Sequence, residues 1–175
     1  LSRGLGDVYK RQCWVCSHFW FWEQLIIKGK LIMPRYAKQP RDSSCGPTAV
    51  LNAAKWAGLG LSIKHDFNFM ADLCGTDWKI GTYPSGIERG LRVALGLNGV
   101  KVTRKRYATV RNIEKLLSKG GAAVACNDDH VFLITGQTEK MFIVQNYREG
   151  PTTCRVRKTT LDKKMVPHEV WFLKQ

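Results

Sequence analysis

The order of two sequence textures along the chain is the feature that most limits its fold. Between Cys45 and Leu117 the chain is dominated by apolar runs bounded by helix-capping and helix-ending residues. From Ala122 onward it changes to short β-branched and aromatic runs separated by turns: AAVAC, HVFLITG, MFIVQNY, TCRVRK and EVWFLK. Helices followed by strands predict an α+β domain, in which an N-terminal helical half packs on a C-terminal, mostly antiparallel β-sheet.

Punctuating residues predict where the helices lie. The first begins at Cys45, has Pro47 in its first turn, where a missing N–H costs nothing, and ends at Gly58. Ser85 is the predicted N-cap of the third helix, with Glu88 completing a capping box. The remaining predicted elements are a second helix over 62–73, a strand over 100–107, a fourth helix from Thr109 to Leu117, and one helical turn over 160–164.

Length and composition exclude several classes of protein. The chain has 175 residues, enough for one domain with its own core, and it is 44% hydrophobic and 24% charged. A wholly disordered chain, a collagen and a coiled coil are excluded, and no apolar stretch is long enough for a membrane span. The six cysteines come without a recognisable secretory leader, so we expect reduced thiols and a cytoplasmic location.

The net charge is high for a chain of this size. There are 28 Lys and Arg residues against 14 Asp and Glu, giving a formal charge of +14. Such a charge favours acidic partners or nucleic acid, although a solvated basic surface gives the same count and no nucleic-acid-binding motif accompanies it.

The first 32 residues differ from the rest. Residues 1–12 resemble a translated sequencing adapter of the kind found in assembled environmental reads, and 13–32 are apolar and aromatic. We expect 1–32 to be a non-native or disordered leader, Met33 to be the natural start, and 33–175 to be a single domain. Cys13 and Cys16 form a C-x-x-C pair, but no second pair follows at zinc spacing, so we expect no metal site.

Four polar residues stand in places that suggest chemistry. Cys45 opens a buried helix, where free N–H groups and the helix dipole favour a thiolate. His130 begins a strand and Asn146 ends the next, and a turn centred near residue 138 would place them opposite each other. Gln39 lies six residues before Cys45. The alternative is a solvated sheet end and a loop glutamine that faces water.

Together these residue types suit nucleophilic catalysis. A cysteine needs an imidazole to share its proton, and the Asn146 side-chain carbonyl could fix the tautomer of His130. The Gln39 amide and the Cys45 backbone N–H could then stabilise the oxyanion that forms when sulfur attacks a carbonyl.

The run QPRDSSCGPTAVLNAAKWAG resembles the active-site entry of papain-fold cysteine peptidases, most closely the bacteriocin-processing, double-glycine-leader peptidases and their stand-alone relatives. GTYPSGIERGL, DHVFLITG and FIVQNYREG add to the resemblance, which covers Tyr36 to Leu173. It implies a papain-like fold, a bacterial or phage origin, and a catalytic set with Gln39 as oxyanion donor, Cys45 as nucleophile, His130 as general base and acid, and Asn146 as the residue that orients His130.

The chain departs from the family at two points. Asn146-Tyr147 stands where the bacteriocin-processing relatives usually have Asp-Pro, and Asp129 after Asp128 precedes the histidine in place of a small residue. We expect these two carboxylates to raise the pKa of His130 and to favour an ion pair with Cys45.

Three functions are compatible with this sequence. The leading hypothesis is a peptidase that hydrolyses a peptide or isopeptide bond of a peptide or protein substrate through a thioester, without cofactor or metal. The alternatives are an acyltransferase or amidase that uses the same site, and an inactive basic binding module of the same fold. The oligomeric state does not follow from the sequence.

Overall fold

A computed structural model of the chain describes residues 34–96, 98–147, 151–163 and 168–175. The predicted leader and its Cys13–Cys16 pair lie outside these residues. From Arg35 onward the described residues belong to one compact unit. Among them, no helix is both long and apolar enough to cross a membrane.

The described residues form a short 3-10 turn, Asp42–Ser44, together with five helices and six strands. The helices are α1 Cys45–Trp56, α2 Ile63–Cys74, α3 Pro84–Gly96, α4 Val110–Leu117 and α5 Lys158–Lys163. The strands are β1 Lys101–Arg106, β2 Ala122–Cys126, β3 Val131–Gln137, β4 Met141–Gln145, β5 Thr153–Arg157 and β6 Glu169–Lys174.

One sheet divides the core into two layers. Its strand order is β1-β6-β2-β3-β4-β5, and every neighbouring pair is antiparallel. Helices α1 to α3 pack on one face, around a cluster that includes Leu91, Leu133 and Trp171. Helix α4 packs on the other face, around Phe132 and Phe142, and α5 contacts α4 and β5. The α+β architecture expected from the sequence is therefore confirmed.

Most helix ends follow their capping residues, but the predicted start of α3 is wrong. The Ser62 hydroxyl accepts a hydrogen bond from the Lys64 N–H at 3.2 Å and caps α2, as Thr109 caps α4. Helix α3 begins at Pro84, one residue before the predicted N-cap Ser85, because proline suits the first helical position. Glu88 pairs with Arg92 and Arg104.

The register between β3 and β4 differs from the predicted one by two residues. Leu133 lies opposite Gln145, but a bulge between Ile134 and Gly136 shifts the pairing nearer the turn. Continued outward, this register places Asn146 opposite Phe132 and not opposite His130 as the sequence had predicted. The residue after β4, Asn146, therefore contacts His130 through its main-chain carbonyl.

Candidate functional site

Cys45 is the first residue of α1, which packs against β2 and β3. The backbone N–H groups of Cys45 and Gly46 at the helix start, together with that of Val131, each lower the pKa of the Cys45 thiol. Since Val131 follows His130 in the chain, the sulfur lies near the His130–Val131 peptide.

Burial decides the protonation state of this thiol. It raises the pKa of Cys45 and outweighs the lowering effect of the three backbone N–H groups, and the charge of Asp129 raises the pKa further. The helix mouth therefore does not produce the thiolate that the sequence suggested. Asp128 is exposed, and its carboxylate lies 3.3 Å from the Nε2 atom of His168.

His130 sits at the end of a tight turn that joins β2 to β3. Its N–H donates to the Asn127 Oδ1 atom at 2.8 Å, and the Asn127 N–H donates to the His130 carbonyl at 3.0 Å. The sequence analysis missed Asn127, although an asparagine before Asp128-Asp129 is a known turn signal. The turn fixes the position of the His130 backbone, and the residue is buried.

The partner of the His130 ring is a main-chain carbonyl. The Nε2 atom lies 2.5 Å from the carbonyl oxygen of Asn146. A carbonyl oxygen can only accept, so Nε2 carries the hydrogen, and Nδ1 is left as the basic nitrogen. Asn146 has φ 58°, a left-handed conformation that directs this carbonyl toward the histidine.

The Asn146 side chain binds Gln39 instead of the imidazole. The Gln39 backbone N–H donates to Oδ1 of Asn146 at 2.9 Å, and the Asn146 amide donates to Oε1 of Gln39 at 3.0 Å. A backbone N–H can only donate, so these contacts fix the orientation of both amides. Asn146 thus links the Gln39 segment to the histidine, through two different parts of the same residue.

The amide of Gln39 donates within its own loop. Its Nε2 atom lies 3.0 Å from the carbonyl oxygen of Arg41 and 3.1 Å from that of Asp42, which occupies both N–H groups. The preceding segment is anchored on α1, because the buried Asn52 side chain exchanges hydrogen bonds with the Ala37 N–H and carbonyl at 2.7 and 2.9 Å. A substrate oxyanion must therefore compete for one of these donors.

A second loop, residues 75–83, packs against the start of α1. A Cβ at Gly46 would lie 2.6 Å from the Cβ and Oγ1 atoms of Thr82, so only glycine lets this loop approach so closely. The Ser43 hydroxyl donates to the Trp78 carbonyl at 2.6 Å, and the Arg41 guanidinium lies 5.0 Å from the Trp78 ring centre. Trp78 and Ile80 are exposed beside the loop that carries Gln39 and Cys45.

Two other described thiols are less suited to act as nucleophiles. Burial raises the pKa of Cys74 to about 12, and the residue is almost fully enclosed. Cys126 lies opposite Val131 on β2, and its pKa is raised to about 11, first by burial and then by the charge that Cys45 would carry as a thiolate. Within the part of the chain that the structure describes, no group of three or more His, Cys, Asp or Glu side chains is placed to hold a metal ion.

No protein-family model and no curated protein matches this sequence, but solved structures of peptidases match its fold. The peptidase domain of ComA from Streptococcus, a bifunctional transporter of a quorum-sensing pathway, is 17% identical, with a TM-score of 0.60 over 81% of this chain and 98% of that one. A double-glycine-motif protease from an AMS/PCAT transporter, solved with its leader peptide, is 15% identical, with a TM-score of 0.58 over 81% of this chain and 91% of that one.

A C39-like peptidase from Bacillus anthracis gives a similar result. It is 11% identical, with a TM-score of 0.57 over 83% of this chain and 96% of that one. At such identities the similarity establishes the fold, which is that of the papain-like C39 peptidase domains. The fold that the sequence motifs predicted through their family resemblance is therefore confirmed.

Proposed function

We propose that this chain is a cysteine peptidase that cleaves a peptide substrate through a thioester acyl-enzyme, with Cys45 as the nucleophile. The observation that carries the proposal is the position of Cys45 at the start of α1, where the Val131 N–H, directly after His130, acts on its thiol. The fold supports it, because the solved structures that share it are peptidase domains. One of those peptidases was solved in complex with the leader peptide, which favours a peptide as the substrate here.

His130 acts as the general base and acid. Burial keeps Cys45 a neutral thiol, so the proton leaves the sulfur during the attack and not before it. Because Nε2 is held on the Asn146 carbonyl, Nδ1 receives that proton and then delivers it to the leaving amine. The same nitrogen later takes a proton from the water that hydrolyses the thioester.

The oxyanion is stabilised at the start of α1. The backbone N–H of Cys45, at the first position of α1, is the first donor in this proposal. Gln39 supplies the second donor when its amide exchanges the Arg41 or Asp42 carbonyl for the substrate oxygen. Asn146 is a positioning residue that holds both Gln39 and His130.

Labelling with iodoacetamide tests the nucleophile first. We expect peptide mapping to find Cys45 alkylated before Cys126 and Cys74, because Cys74 is almost fully enclosed and burial raises both of their pKa values to about 11 or higher. The Cys45 rate should rise with pH through and beyond the usual thiol range, since its pKa is raised and only the thiolate reacts. Earlier labelling of Cys126 or Cys74 in the folded protein would contradict the assignment.

Hydrolysis of a fluorogenic peptide library tests the reaction. Cys45→Ala and His130→Ala should lose activity, by at least about 10²-fold for the histidine, while the matched control Cys126→Ala keeps most of it. Products formed with an added amine separate hydrolysis from acyl transfer. If the wild type labels at Cys45 but cleaves no member of the library and transfers no acyl group, the inactive binding module replaces the peptidase.

A further inference from the structure

Three lysines project from one edge of the sheet, on the face opposite to Cys45. Side chains alternate along a strand, so Val102 points to the α1–α3 layer while Lys101 and Lys105 point to the other. The Lys105 ammonium lies 5.3 Å from the ring centre of Phe172, which belongs to the second core cluster. Lys174 lies directly opposite Lys101 and shares its face. All three lysines are exposed.

Helix α4 adds a second row of cations on the same side of the sheet. The helix packs over β2, β3 and β6, with Ile113 and Leu116 buried beneath it. Arg111, Lys115 and Lys119 follow one another at four-residue spacing and are all exposed, so they share the solvent side of the helix and of the turn after it. We call these six residues the basic face: Lys101, Lys105, Arg111, Lys115, Lys119 and Lys174.

The charges of the basic face are not neutralised by described acidic side chains. The ion pairs of the described residues involve other cations. The two nearby carboxylates are already committed, because Glu114 pairs with Lys158 and Glu169 pairs with Arg104 on the opposite side of the sheet. The six cations of the basic face thus form no ion pair with a described acidic side chain.

The pairing of Lys101 with Lys174 makes the arrangement costly when nothing is bound. Directly opposed residues on antiparallel strands have their Cβ atoms about 5 Å apart, and like charges at such positions destabilise a sheet. A sequence selected only for stability would place an acidic or neutral residue at one of the two positions. A bound polyanion would offset the repulsion between the two ammonium groups, and both lysines would then contribute to binding it.

We propose that the basic face binds the phosphate backbone of double-stranded nucleic acid. Single strands are usually held by exposed aromatic rings on which bases stack. Of the exposed described aromatics, Phe69, Trp78 and Tyr83 belong to α2 and the 75–83 loop, and Tyr107, which contacts His168, follows β1 beside the basic face. A single ring offers no platform on which successive bases could stack. A membrane surface is usually held by large apolar side chains that insert beside the cations, and of the exposed large apolar side chains described only Tyr107 adjoins an element of the basic face.

The geometry allows binding and catalysis to proceed independently. Cys45 belongs to the α1–α3 layer on one side of the sheet, and the basic face lies on the other side. Nucleic acid on the basic face therefore leaves the thiol accessible, and it would hold a peptidase near nucleoprotein. Binding should be unchanged in Cys45→Ala, so the two proposals can fail separately.

Fluorescence anisotropy with a labelled 20-base-pair DNA duplex, over a series of NaCl concentrations, tests the proposal. The logarithm of the association constant should fall with the logarithm of salt concentration with a slope of about −0.9 per phosphate contacted, or about −5 for six contacts. The triple variant Arg111→Gln/Lys115→Gln/Lys119→Gln should bind more weakly, with a slope smaller by about 3. All three positions are exposed, so the variant should keep its melting temperature.

A second triple variant controls for total charge. Lys64→Gln/Lys79→Gln/Lys140→Gln removes the same number of exposed cations from other elements, and we expect it to keep a slope close to that of the wild type. Equal weakening of the two variants would overturn the proposal, because binding would then follow net charge alone. Absence of duplex binding in low salt would also overturn it, as would binding to phosphatidylserine vesicles without binding to DNA.

Discussion

Replacing Asn146 by glycine or by alanine should have different effects on stability and activity, because the side chain of Asn146 binds Gln39 and its main-chain carbonyl binds His130. Either substitution removes the two hydrogen bonds to Gln39, which contribute about 1 kcal/mol each, so both variants lose about 2 kcal/mol of unfolding free energy. Alanine must also hold φ at 58°, a conformation that costs a residue with a Cβ about 1–2 kcal/mol. Glycine adopts it freely but loses up to about 1 kcal/mol through its more flexible unfolded chain.

The unfolding free energy should therefore fall by about 3–4 kcal/mol in Asn146→Ala and by about 1 kcal/mol less in Asn146→Gly. Activity should follow the same order, because glycine keeps the carbonyl directed at His130 Nε2 while alanine favours a backbone that turns it away. Urea unfolding measures the first quantity, and turnover of a peptide substrate with the Cys45 alkylation rate measures the second.

Two results would refute this reasoning. An alanine variant as stable as the glycine variant would show that the left-handed conformation at position 146 carries no cost. A folded glycine variant as inactive as His130→Ala would show that the Asn146 side chain, and not its carbonyl, orients the imidazole.

Two further outcomes follow from packing and charge. Gly86→Ala should lower the unfolding free energy, measured in urea, by several kcal/mol, because the added Cβ would overlap the Cys74 carbonyl oxygen. The matched control is Gly96→Ala, whose Cβ would meet no atom within 4 Å. We expect this control to be neutral or to stabilise the fold by about 0.5 kcal/mol. Arg104 holds the pKa of Glu169 below its usual range in the folded protein. The ionised carboxylate therefore stabilises the fold at any pH above its unfolded-state pKa, about 4.3. This stabilisation is lost as the pH falls through the lower pKa of the folded state. Glu169→Gln should then be less stable than the wild type at pH 7, with the difference vanishing in acid, and a constant difference down to pH 2 would contradict the role of charge.

The sequence predicted the elements better than their mutual placement. Helices with clear capping residues form where expected, including α2 after its N-cap Ser62 and α4 after its N-cap Thr109. The start of α3 was misread because Ser85 and Glu88 match a capping box, while Pro84 offers a competing and better first turn. A local motif thus predicted a helix correctly and its first residue wrongly.

The site shows the same limit. The hairpin pattern predicted that His130 and Asn146 lie close together, and the family resemblance added Cys45 and Gln39 to the same neighbourhood. Their contacts could not be predicted, because the hairpin pairs Gln137 with Phe142, which puts its centre beyond the predicted one near residue 138 and shifts every pairing. Burial of a thiol depends on the whole fold, so the raised pKa of Cys45 was also beyond a reading of the helix mouth alone.

The contact between Gly46 and Thr82 restricts how this family of sequences can change over time. A side chain at position 46 would collide with Thr82, whose hydroxyl also lies 2.9 Å from that of Thr76. A mutation at 46 is therefore tolerated only after position 82 has become small, whereas the reverse order passes through a misfolded or inactive intermediate. Descendants of this chain should retain glycine at 46 or change both positions together, with the change at 82 coming first.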